Sequence, residues 1–136
     1  INYLIIYIIS LYAGNYFALK FHEKEPHYTA VGASGAVTGI VYSSIILYPE
    51  MKLMLIFLPI PLPAYVFGLL YMLYSIYGMN KNLGNVGHTA HFGGAIAGLF
   101  VTLLIQPQII NENLWIILLM ITPIILFIIN SKKRIF

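Results

Sequence analysis

Two short segments hold the residues whose types and spacing suit chemistry. In 32-GASG-35 a serine, Ser34, lies between glycines just ahead of an apolar run with no charge until Glu50. In 87-GHTAHFGGAIAGLF-100 the histidine His91 is followed at i+3, i+4 and i+7 by Gly94, Ala95 and Gly98, so on a helix the imidazole shares its face with small side chains. A serine hydroxyl is a weak nucleophile until a base takes its proton, and neutral imidazole is the usual base. Gly35 and Gly39 stand four apart, as do Gly94 and Gly98, and such pairs let helix backbones approach closely in lipid. If these two faces meet, Ser34 and His91 are brought together near one end of the pair. The plainer reading is that the glycines only pack, that Ser34 and Thr38 bond back to their own helices, and that His91 is a satisfied polar residue. Each motif alone fits that reading; the combination favours a nucleophile and its base.

The elements that must position these residues are membrane helices. Of 136 residues, 60% are hydrophobic and 8% charged, where a soluble domain carries about a quarter charged. The net charge of +3 is scattered in short clusters between apolar segments rather than forming a basic face, which argues against nucleic acid as a partner. With no cysteine, disulfides and thiolate metal sites are excluded. A span needs about 20 mostly apolar residues, and near that length the chain offers five helices, at about 1–19, 33–48, 64–79, 88–105 and 114–129. The predicted class is an all-α, polytopic transmembrane helical bundle.

Between the second and third spans, Pro49, Pro59, Pro61 and Pro63 forbid a regular helix through much of 49–63. That segment is expected to lie at the membrane surface, with Met51, Leu53, Met54, Leu55, Ile56 and Phe57 dipping into the interface. Tyr3, Tyr7, Tyr12 and Tyr16 recur at helical spacing and predict a packed aromatic face. Trp115, Tyr48 and Tyr65 suit the interfacial belt, and 132-KKR-134 suits lipid headgroups. His22 and His27 fall in a charged loop and are expected to be solvated. His88 precedes His91 by three residues with no third ligand nearby, so no metal site is predicted. The chain opens on Ile1 inside an apolar run, as expected for part of a longer protein.

The G-x-S-G opening one membrane helix and the A-H-x-x-G-x-x-x-G on a later one resemble the rhomboid intramembrane serine proteases. The resemblance puts the nucleophile on Ser34 and the general base on His91, with Gly32, Gly35, Gly39, Gly94 and Gly98 as packing residues near the site. It implies that residues 1–108 are the last four helices of a six-helix core and that 109–136 add a C-terminal transmembrane helix and basic tail. The implied activity is endoproteolysis of transmembrane or juxtamembrane segments by a Ser-His dyad, in the lipid bilayer, with no cofactor. No Asp or Glu lies within a span to make a triad.

Two departures from the family pattern stand out. An upstream helix supplies a histidine and an asparagine to the oxyanion in rhomboids, and the chain begins after it, so the segment alone is expected to be inactive. Thr38 stands where one bacterial branch has an aromatic ring stacked on the base, leaving Tyr42 or a residue of the fourth span to orient His91. A bacterial inner membrane is the expected location. The positive-inside rule would put Lys20, Lys24, Lys81 and the terminal basic cluster in the cytoplasm, opposite Lys52; the resemblance implies the reverse. The rival readings are a rhomboid-like protein that binds membrane segments without cutting, and a transporter subunit. The transporter would need ionisable residues at mid-span, and apart from His91 there are none.

Overall fold

The smallest residues of the chain are concentrated in 88-HTAHFGGAIAG-98, and the helix they begin is the axis of the molecule. The computed structural model describes residues 2–30, 32–55, 58–81, 83–84 and 86–131. In chain order these form α1 (Asn2–Phe21), α2 (Ser34–Leu47), a hairpin of β1 (Lys52–Leu55) and β2 (Leu58–Pro63), α3 (Ala64–Lys81), α4 (His88–Ile105), the single turn α5 (Ile109–Glu112) and α6 (Leu114–Asn130). The protein is a polytopic helical bundle, with α1 and α2 packed along α4 and with α3 and α6 on the other side.

Glycine sets the spacing of α1, α2 and α4. A methyl group at Gly14 of α1 would lie 2.6 Å from the Ala90 carbonyl oxygen, and one at Gly35 of α2 2.9 Å from the same atom. Further down the seam Gly94 abuts the Gly35 carbonyl and Gly98 the Gly39 carbonyl. One layer on, the Thr102 and Ser43 hydroxyls meet at 2.7 Å. These layers rise in the same order on both helices, so α2 and α4 run parallel. Lipid tails are as apolar as leucine, so such helices gain their association from close packing and interhelical hydrogen bonds rather than from leaving water. On the α3 side the Tyr42 hydroxyl donates to the Gly68 carbonyl at 2.6 Å, within a core that includes Ile45, Met72, Phe92, Ile116 and Met120.

The structure sharpens some expectations and corrects others. The proline-rich connection is an antiparallel hairpin, with Lys52 opposite Pro63 and Leu53 opposite Leu62 and an irregularity before Leu55. The Ala64 amide donates to the Met51 carbonyl, so in this register Pro61 and Pro63 turn their missing donors to the free edge, where a strand tolerates proline. Ile56 and Phe57, read as interfacial, lie outside the described residues, as does the 132–134 cluster. The α1 tyrosines do not form a packed face: Tyr3, Tyr12 and Tyr16 are 61%, 71% and 71% exposed. α6 continues through Pro123, which is buried against the bundle, and Phe127 meets Phe92 of α4 edge-on with ring centroids 4.9 Å apart.

Candidate active site

Ser34 is the first residue of α2, and Gly32 before it has φ 141°, a conformation that side chains other than glycine rarely adopt. Gly32 is not a packing contact of the kind the sequence suggested, because a methyl group there would meet nothing within 4 Å. Its glycine serves the sharp entry into α2 instead. No side chain caps this helix start, so its first amides are free of intrahelical partners, and a helix N-terminus carries partial positive charge.

His91 stands in the first turn of α4, buried beside the seam. Ser34 is exposed, and the two residues line one cleft of about 810 Å³ together with Asn15, His27, Tyr28, Thr29, Gly32, Gly87 and Ala90. Among the described residues, no hydrogen bond joins the Ser34 hydroxyl to the imidazole. The cleft floor lies well inside the bundle. Gly14 and Asn15 are level with Ala90 and the start of α2, and α1 runs six residues beyond Asn15 to Phe21, roughly 9 Å at 1.5 Å per residue. α2 itself has 14 residues, which rise roughly 20 Å, about two-thirds of a bilayer's hydrocarbon thickness.

Among the described residues the imidazole has one polar partner, and it is neither Tyr42 nor a residue of α4. The Tyr71 hydroxyl, on α3, lies 2.8 Å from Nδ1 of His91, while Tyr42 is engaged with Gly68. Tyr71 is half-buried and stacks on Phe67, one turn earlier, at 5.8 Å. Sequence reasoning missed it because the segment 64-AYVFGLLYMLYSIYG-78 reads as a lipid-facing, tyrosine-rich helix, and nothing local distinguishes Tyr71 from Tyr74 or Tyr77. Thr38 donates to the Ser34 carbonyl at 2.8 Å, which ties the first turn of α2 together.

The loop over the cleft is anchored rather than freely solvated. His22 stacks on Tyr28 at 3.6 Å and reaches Glu25 at 3.0 Å, and the Tyr28 hydroxyl meets Thr89 of α4 at 3.2 Å. His27 remains exposed. Nearby, the hydrogen bond and charge of Lys20 hold the Glu23 carboxyl below its ordinary value; this pair is open to solvent and contributes little to stability. His88 points away from the cleft toward the Leu83 carbonyl at 3.2 Å, with Gly78 leaving room for its ring. Among the described residues no three His, Asp or Glu side chains are grouped to hold a metal.

A bundle of apolar helices around a glycine seam, with a polar cleft at one end, defines a multi-pass membrane protein. The rhomboid domain model matches residues 1–108, and the chain belongs to the rhomboid family. It is 30% identical over 101 residues to "Rhomboid protein 1, mitochondrial" of Saccharomyces cerevisiae, covering 72% of this chain and 29% of that protein. No solved structure matches the chain. Membership places it among intramembrane proteases and their rhomboid-like relatives. The relative is mitochondrial by name, so a bacterial inner membrane finds no support there.

Proposed function

We propose that this protein is an intramembrane serine endopeptidase that cuts transmembrane or juxtamembrane segments of other membrane proteins with Ser34 as nucleophile and His91 as base. The observation that carries the reading is one cleft lined by both residues, at the end of a seam where glycines bring their helices into backbone contact. Nε2 of His91 takes the Ser34 proton as Oγ attacks the scissile carbonyl. The tetrahedral oxyanion forms beside the uncapped start of α2, whose amides are suited to receive it. His91 then protonates the leaving amine, and an acyl-enzyme remains. Water entering from the cleft gives its proton to His91, attacks the ester, and Ser34 recovers its hydrogen. Catalytic hydrogen bonds are often loose without substrate, which accommodates the unbonded Ser34 hydroxyl.

The test is intact-mass labelling of the full-length protein by a fluorophosphonate, beside Ser34→Ala and His91→Ala. One adduct, absent from both variants, is expected, with the labelling rate falling in acid as the base is protonated. A folded protein that takes no adduct would overturn the proposal in favour of a rhomboid-like protein that binds membrane segments without cutting them.

A further inference from the structure

The hydrogen bond from α3 to the base has a direction, and the work of the base determines it. A phenol can donate to Nδ1 or accept from it. If Tyr71 donated, the imidazole proton would sit on Nε2, and His91 could not accept from serine. A base that takes the serine proton needs Nε2 bare, so the ring proton sits on Nδ1, 2.8 Å from the Tyr71 hydroxyl, and a lone pair of the phenol oxygen receives it.

We propose that Tyr71 is the positioning residue of the base: its oxygen accepts the Nδ1–H of His91 at 2.8 Å and holds the tautomer whose Nε2 is bare. Tyr71, itself stacked on Phe67, fixes the ring's rotation with a neutral group. A buried carboxylate would bring a desolvation cost that a phenol avoids.

This inference rests on the serine-protease reading, but its first readout does not need turnover. In full-length protein carrying ¹⁵N-histidine, the ring-nitrogen signals that vanish in His91→Ala belong to His91. The expected parent spectrum shows a protonated Nδ1 and a bare Nε2. Tyr71→Phe keeps the ring and its stacking on Phe67 while removing the oxygen; the signal is expected to move toward the Nε2–H tautomer, with kcat down about 10-fold and KM unchanged. A purely structural tyrosine would lower the melting temperature and leave the tautomer alone. An Nε2–H imidazole in the parent, or an unchanged tautomer and kcat in a folded Tyr71→Phe, would overturn the inference. If Ser34→Ala cleaved like the parent, the protease reading would fall separately, and Tyr71 would lose its catalytic meaning even with the expected spectrum.

Discussion

At the scale of single residues, the molecule depends on positions where there is no room for a methyl group. Gly94 faces the Gly35 carbonyl so closely that any Cβ must push α2 and α4 apart. Gly94→Ala is therefore expected to destabilise the fold by about 2 kcal/mol or more, in the range of overpacked cores, and to abolish fluorophosphonate labelling, because parting the seam separates Ser34 from His91. Thermal melts in detergent and the labelling rate measure the two effects. Ser34→Ala removes one exposed oxygen at a helix start, so it should melt like the parent while losing all cleavage. Equal melting with retained cleavage would rule out Ser34 as the nucleophile. Ser34 and His91 were legible as candidates because reactive side chains beside small ones leave a local pattern. Tyr71 left none: it reaches His91 across 20 residues of chain, and only the packing of α3 on α4 brings it there.

At the scale of elements, the longest apolar runs announced themselves. α4 occupies 88–105, and α6 runs to Asn130, within a residue of the end expected from its apolar run. The hairpin did not, since prolines exclude a helix locally but pairing is decided by which strand lies alongside. α5 was also invisible, a single turn between Pro107 and Asn113. Asn113 shows how the added helix is fastened: its amide donates to the Ile46 carbonyl at the end of α2 at 2.9 Å. Asn113→Ala is expected to lower stability by about 1 kcal/mol, read by thermal melting, and to leave serine labelling unchanged, because the contact lies at the opposite end of α2 from Ser34.

At the scale of the whole molecule, the alternation of helices puts the ends of α1 and α3 and the starts of α2 and α4 on one side of the membrane and the hairpin on the other. The absence of cysteine makes this directly measurable. Single substitutions His27→Cys and Lys81→Cys should react with a membrane-impermeant maleimide from the same side, and Glu50→Cys only from the opposite one. The face that labels His27→Cys identifies the compartment from which water reaches the cleft, and so decides between the charge count and the family resemblance.

The position of Tyr71 on α3 has one further consequence. α3 packs less extensively against α4 than α1 and α2 do, and it carries the oxygen on which the imidazole leans. Any excursion of α3 away from the bundle unlatches the base at the same moment that it opens the side of the molecule. On the proposed mechanism, opening and chemistry are successive states of one helix: with α3 out, the histidine spins without a fixed proton order, and bond cleavage waits until α3 has returned.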